Sequence, residues 1–307
     1  MTGERFPAKI HVFSGKVNSF FDFPSTNAAG RGWCCRASNE RMEQSRITSW
    51  NELMEALYDG AWMPDIRRFR SPFAYRGLPD TQYTLATSLM RLGGNYTELE
   101  GHLLRNFKKY AHRDVVQRDS YWHWLSVAQH HGLPTRLLDW TFSPLVALHF
   151  LTATIELFDR DGLIWCVDYR KAHACLPDFL QQQLAGEGAD IFTVEMLSEI
   201  ESLVALDRFS DTTSPFPLFF EPPSLDDRIV NQYALFSVLS DPTLGMDTWL
   251  ESHPGLCRRI LVPAGLKWEI RDKLDQANIN ERVLFPGLDG LSLWLKRMYF
   301  PRNNGTR

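Results

Sequence analysis

Gln129-His130-His131-Gly132-Leu133-Pro134-Thr135-Arg136-Leu137-Leu138-Asp139-Trp140-Thr141-Phe142-Ser143-Pro144 is the stretch on which the fold turns. Upstream of it, Ser120 begins a helix whose buried stripe is Tyr121, Leu125 and Ala128, and Gly132 and Pro134 end that helix. Gln129, His130 and His131 therefore fall in its last turn. Downstream, Ser143-Pro144 starts a second helix, because a serine oxygen accepts a backbone N–H at the cap and proline is pre-set for the first helical position. That helix continues through Leu148, Phe150 and Leu151. The whole stretch reads as a helix–loop–helix connection dense in hydrogen-bonding side chains, of the kind a rigid scaffold presents to a ligand.

Working outward, Phe73-Ala74-Tyr75 leads into Arg76-Gly77, a short apolar run stopped by glycine, which predicts a strand with Arg76 at its exposed mouth. Residues 163–167, 232–239 and 259–262 are rich in branched or aromatic side chains and read as further strands. Trp50, Leu53, Met54 and Leu57 recur at helical spacing. Thr97 and Glu100 fit a capping box before a helix that runs to Ala111. Residues 192–206 read as a helix, and the proline-punctuated stretch 214–223 as irregular. Two C-terminal helices are anchored by Trp268, Ile270 and Leu274 and by Leu288, Leu291 and Leu295, the second with an exposed end near Arg297.

These elements define an α+β fold, a single large domain with a central mixed or antiparallel sheet flanked by helices. Residues 1–46 show no sustained period and read as a loosely attached extension. The folded domain spans 47–300, and 301–307 is a tail.

Of 307 residues, 33 are basic and 37 acidic, for a net charge of -4. No whole-molecule field draws such a chain onto a phosphate backbone, so any nucleic-acid contact has to be a local basic patch. There is no run of eighteen apolar residues and no signal-peptide pattern, which predicts a cytoplasmic protein with no membrane partner. The five cysteines form no framework and no CxxC pair, which fits a reducing compartment, and Cys166 reads as a buried thiol.

Tyr75-Arg76-Gly77 together with the 129–144 stretch closely resembles the FRG domain, a family named for a short Phe, Arg, Gly-type motif that is Tyr-Arg-Gly here. The resemblance extends to Arg228 through Gln232, to Phe236, and to Val283-Leu284-Phe285-Pro286-Gly287-Leu288-Asp289-Gly290, and so covers roughly residues 47–300. A second likeness is to ADP-ribosyltransferases, many of which carry an arginine in a Tyr-Arg-Gly context, then a Ser-Thr-Ser-like strand and a short helix with Ala and Phe. Here those places are taken by Tyr75-Arg76-Gly77, by Thr141-Phe142-Ser143, and by Ala147 and Phe150 after Pro144.

The second resemblance implies NAD as substrate, with no tightly bound cofactor: Arg76 would grip phosphate or ribose, Ser143 the nicotinamide side, and Gln232 the sugar. It also implies a glutamate on a late strand, to stabilise an oxocarbenium-like sugar. Gln232 stands there instead, and Glu221 or Asp227 would have to substitute from the adjoining loop. Tyr75, Gly77, Gln129, His130, Thr135, Arg136, Asp139, Trp140, Thr141 and Arg228 complete the candidate ligand-binding set, with Arg76, His131, Ser143 and Gln232 as the candidate catalytic groups.

Each residue also has a plain structural reading. Arg136 and Asp139 are close enough in sequence to pair, Trp140 docks the loop on the core, and Ser143 is needed as a cap whatever the function. His130 and His131 point about 100 degrees apart on a helix and do not converge on one metal ion. Two other functions stay open: a non-catalytic module that binds a nucleotide, nucleic acid or protein segment, and a hydrolase or nuclease with His130 or His131 as base. The macromolecular target is not written in the chain.

Overall fold

Ten strands alternate with helices in the computed structural model, which describes residues 42–111, 119–210 and 214–301. Eight of the strands form one mixed sheet: β1 (Glu43–Arg46), β4 (Phe73–Leu78), β5 (Leu138–Thr141), β6 (Gly162–Asp168), β7 (Phe192–Thr193), β8 (Pro217–Glu221), β9 (Ala234–Leu239) and β10 (Cys257–Val262). Their order across the sheet is β1-β10-β6-β4-β5-β9-β8-β7. The edge pairs β1/β10 and β7/β8 are parallel and the rest antiparallel. The strands β2 (Trp62–Met63) and β3 (Arg68–Phe69) pair as a separate hairpin.

Alternation along the strands sends side chains to two faces. One face carries Ala74, Trp140, Trp165, Phe219 and Leu235, packed with Trp249 and Leu250. The opposite face holds two cores. Tyr75, Ile164, Cys166 and Ile260 pack with Leu53 and Leu57 of helix Trp50–Tyr58, with Ala147, Leu148 and Leu151 of helix Pro144–Leu151, and with Ile270 and Leu274 of helix Lys267–Gln276. Leu218, Phe220, Phe236 and Val238 pack with Trp122 and Leu125 of helix Tyr121–His130.

Helix Pro144–Leu151 follows β5 after two residues and crosses β4. It lies so close that a Cβ on Gly77 would stand 1.9 Å from the Ala147 carbonyl oxygen, and one on Gly162 would meet the Leu151 side chain at 2.8 Å. Gly77 is therefore required for its lack of a side chain.

The strand at 138–141 is the main departure from expectation, because it lies inside the stretch read as a helix–loop–helix connection. Its four residues alternate buried and exposed only from Leu138 to Trp140, and the neighbouring Leu137 is also buried, which hides the period. Residues 214–223 are not irregular throughout. Pro217 occupies the first position of β8, where a missing N–H costs nothing, and Leu218, Phe219 and Phe220 are buried on both faces. The helix expected at 192–206 is β7, a 3-10 turn at Met196–Glu199 and helix Leu203–Ser210, because Leu197, Ile200, Leu203 and Leu206 are buried at three-residue steps that mimic one helix.

Helix Tyr96–Tyr110 starts after Asn95, which makes no side-chain cap bond, and Glu100 of the expected capping box is buried. β9 begins at Ala234, since Gln232 is the C-cap of helix Asp227–Asn231 and Tyr233 turns the chain at φ 50°. The caps at Ser120 and Ser143 are as expected, their hydroxyls accepting from His123 N and Val146 N. Arg297 is buried rather than exposed, bound to Glu281 and Asp275. Of the expected extension, residues 1–41 lie outside the described residues and 43–46 form β1. Residues 302–307 of the expected tail also lie outside them.

Cys166 and Cys257 are free and buried, and burial pushes the Cys166 thiol up to about 12. Cys175 is disulfide-bonded, contrary to the reading of five thiols without a covalent framework. No helix among the described residues is long and apolar enough to cross a membrane.

Gly77→Ala should cost at least about 3 kcal/mol of stability, since the clash is with helix backbone that cannot rotate aside. Urea unfolding of Gly77→Ala against the wild type measures this, and a loss below about 1 kcal/mol would show that the helix can lift from β4 at little cost.

Candidate functional site

β4 and β6 pair along all six residues of β4, whereas β4 and β5 share the single pair Tyr75↔Thr141. Beyond that pair the two strands part in the middle of the sheet. Backbone groups on parted strands need other partners. Arg76 supplies one, its Nη1 donating to the Asp139 carbonyl across the gap. A cleft of about 440 Å³ opens there, lined by Tyr75, Arg76, Gly77, Gln129, His130, Asp139, Trp140, Thr141, Arg228 and Gln232. Tyr83, Phe150, Thr154 and Phe236 also line it.

Arg76 Nη1 is committed, but Nε has no partner although it is buried. Burial holds the guanidinium below its ordinary pKa and Arg91 adds to that, while the Asp139 carboxylate opposes it. An arginine stays charged under such a shift. The buried Nε is thus a donor still without a partner on a residue that lines the cleft.

Asp139 is the one carboxylate among the described residues that line the cleft. A relay of hydrogen bonds orients it: Thr135 Oγ1 donates to Gln129 Oε1 at 2.5 Å, and Gln129 Nε2 donates to Asp139 Oδ2 at 2.9 Å. The relay sets the amide's orientation, because the threonine hydroxyl occupies the oxygen end and leaves the NH2 for the carboxylate. Thr135 is itself buried and held by Ser88.

His130 lies at the junction between this cleft and a second pocket of about 350 Å³ lined by His130, Asp226, Asp227, Arg228, Phe285, Pro286 and Asp289. Its Nε2 is 2.7 Å from Asp226 Oδ2. Burial holds His130 below the ordinary histidine value, with Asp226 pulling the other way. Burial would raise the Asp226 carboxyl, but the Ile229 N–H and His130 keep it below the usual range. Arg228 stacks on Phe285 with its guanidinium 5.0 Å from the ring centroid.

Gln232 donates from Nε2 to the Leu284 carbonyl at 2.9 Å, and its backbone carbonyl accepts from Thr141 Oγ1 at 2.7 Å. Trp140 is in the core, its Nε1 donating to Ser237 Oγ at 2.7 Å, which is the docking role.

Four of the candidate residues stand outside the lining: His131, Ser143, Thr135 and Arg136. His131 is exposed at the helix end. Ser143 serves its helix as cap. Arg136 does not pair with Asp139. It is buried, with Nη1 and Nη2 on Asp207 at 2.6 and 3.2 Å and Nε 3.1 Å from Glu100. Burial raises the Glu100 carboxyl and Arg136 opposes the rise. Glu221 is outside the cleft, and Asp227 lines only the second pocket.

No group of three or more His, Cys, Asp and Glu side chains among the described residues is placed to hold a metal. Tyr83 was not foreseen, since it sits in a turn between elements with no pattern of its own.

The chain is thus a mixed α/β domain with a polar, aromatic-lined cleft set into a parting of its central sheet. The family model of the FRG domain matches residues 71–160, which hold β4, β5 and the stretch between them, so the chain carries an FRG domain there. No curated protein and no solved structure matches the chain.

The two arginines should separate cleanly in stability measurements. Arg136→Ala leaves Glu100 and Asp207 facing each other unpaired and should cost about 3–5 kcal/mol. Arg76→Ala opens onto the cleft and should cost about 1 kcal/mol or less for the lost bond to Asp139. Equal losses in chemical denaturation would place Arg76 among the structural residues.

Proposed function

We propose that the protein is an NAD-consuming enzyme of ADP-ribosyltransferase type, with NAD bound where β4 and β5 part. The observation that carries this is the meeting, in one cleft, of a guanidinium with an unpartnered Nε and an oriented carboxylate on the facing strand. A volume of about 440 Å³ suits a small-molecule site.

In this reading Arg76 grips the pyrophosphate or a ribose hydroxyl through its free edge, as a guanidinium does bidentately. Gln232 accepts a ribose hydroxyl at Oε1, its Nε2 being held by Leu284. Breaking the bond between ribose C1′ and the nicotinamide nitrogen puts positive charge on the sugar, and Asp139 is placed to stabilise it. Asp139 thereby takes the part expected of Glu221 or Asp227. Aromatic residues such as Tyr83 and Phe150 offer rings for the two flat ends of the molecule. Ser143 is left out of the chemistry, because its hydroxyl caps a helix.

One observation favours a second reading, a nucleotide-binding module without turnover: the Ser143 hydroxyl and the Gln232 amide NH2 both have structural partners. NAD labelled in the nicotinamide ring separates the two. Release of nicotinamide that falls by about 10²–10³ in Asp139→Asn, with Arg76→Ala at least as impaired, is the expected result. A rise in Tm with NAD or ADP-ribose and no release would select the binding module, and neither signal would falsify both.

A further inference from the structure

We infer that His130, held by Asp226, is the general base that takes a proton from the acceptor hydroxyl, and that the acceptor reaches the ribose through the second pocket. This rests on the NAD reading and adds the half of the reaction that the cleft alone leaves out. The supporting geometry is positional. His130 lines both cavities, so it stands where a donor in the larger one and an acceptor in the smaller one would meet. The Asp226 carboxylate, 2.7 Å from Nε2, fixes the proton of the neutral ring on that nitrogen and leaves the lone pair on Nδ1. A base oriented by a third group is the arrangement general-base catalysis requires.

The helix brings His130 to this place, and the cap of the next helix supplies its orienter. His130 is the last residue of helix Tyr121–His130. Asp226 is the N-cap of helix Asp227–Asn231, with Oδ1 accepting from Ile229 N at 3.1 Å. One carboxylate oxygen thus serves the cap and the other serves the histidine. Arg228 Nη1 is 3.5 Å from the His130 carbonyl, tying the two helices together. The charged and titratable groups that face the imidazole are Asp226 and Arg228 from that element and its cap, and His131 from its own. Asp227 and Asp289 line the same pocket. His131 stacks edge-on against His130, with centroids 5.1 Å apart, and lines neither cavity.

The step balances as follows. The acceptor oxygen forms a bond to ribose C1′ as the bond from C1′ to the nicotinamide nitrogen breaks. The electron pair of that bond leaves with nicotinamide, which departs neutral, and the acceptor proton passes to His130 and then to solvent. Water is the simplest acceptor, giving ADP-ribose, nicotinamide and one proton.

The test uses the full chain and NAD, with nicotinamide release followed against pH. In the wild type kcat should fall as pH drops through the His130 pKa, which lies below the ordinary 6.5. His130→Gln should lower kcat by about 10²–10⁴ and abolish that acid limb, with KM for NAD unchanged. Asp226→Asn keeps a capping side chain and removes the charge that favours the imidazolium, so the limb should move to lower pH. A merely structural pair would leave the limb where it is.

If His130→Gln retains the wild-type rate and profile while Arg76→Ala is inactive, the base assignment is overturned and the NAD reading stands. Loss of rate in His130→Gln with an unchanged acid limb also overturns it. A wild type that releases no nicotinamide overturns both.

Discussion

The contact between helix Pro144–Leu151 and the backbone of β4 is the constraint on which the rest of this structure depends. A carbonyl of Ala147 stands where any side chain on Gly77 would have to be, so strand and helix touch main chain to main chain. Because the helix leaves β5 after only two residues, crossing β4 so closely pins the end of β5 to β4 at Tyr75↔Thr141. Farther along, nothing holds the strands together in the ladder. The cleft is the space left by that parting, and Phe150 on the same helix forms part of its wall.

The helix is itself anchored from behind. His149, on the helix, is fully buried, and its Nδ1 accepts from Arg271 at 2.8 Å. Burial foremost, and then Arg271, depresses the His149 pKa to about 3, so the ring is neutral and serves as an acceptor. Arg271 lies near Asp275, which with Glu281 binds Arg297. Residues from helix Lys267–Gln276 and the C-terminal helix Leu288–Met298 are thereby tied to the helix that roofs β4. A buried group of charges is stable only when each finds partners, and here two arginines meet two carboxylates. The residues near the C-terminus thus support the cleft without lining it.

What the sequence disclosed follows from the range of each interaction. Ser120 and Ser143 were legible as caps because the donor is three residues away. Tyr75-Arg76-Gly77 was legible as strand but not as the interior of one: β4 runs through Gly77 to Leu78, so Arg76 is not at a strand end, and the reason for Gly77 was hidden because Ala147 is far along the chain. β8 was hidden by prolines that bracket rather than break it, and β5 by its shortness. The partner of Arg136 was misread for the same reason: Asp139 is near in sequence, whereas Glu100 and Asp207 are brought in by folding. Asp139, released from that pairing, is free to face the cleft. Local chemistry is written in local sequence, and the identity of a buried ion pair is not.

The charge pattern of the cleft follows from this rearrangement. Over the whole chain acidic groups outnumber basic ones, giving a net charge of -4. In the cleft, Arg76 and Arg228 face one carboxylate, and His130 is held toward its neutral form by burial. A local excess of positive charge in a recess with low-dielectric walls attracts an anion even when the whole molecule repels it. Had Arg136 and Asp139 paired with each other, the recess would have lost its carboxylate and the interior would have kept Glu100 and Asp207 unbalanced. Folding therefore places the arginine that neutralises two acids inside the core and leaves the oriented acid at the opening. The choice of partner at residue 136 thus bears on both the stability of the scaffold and the charge left in the cleft.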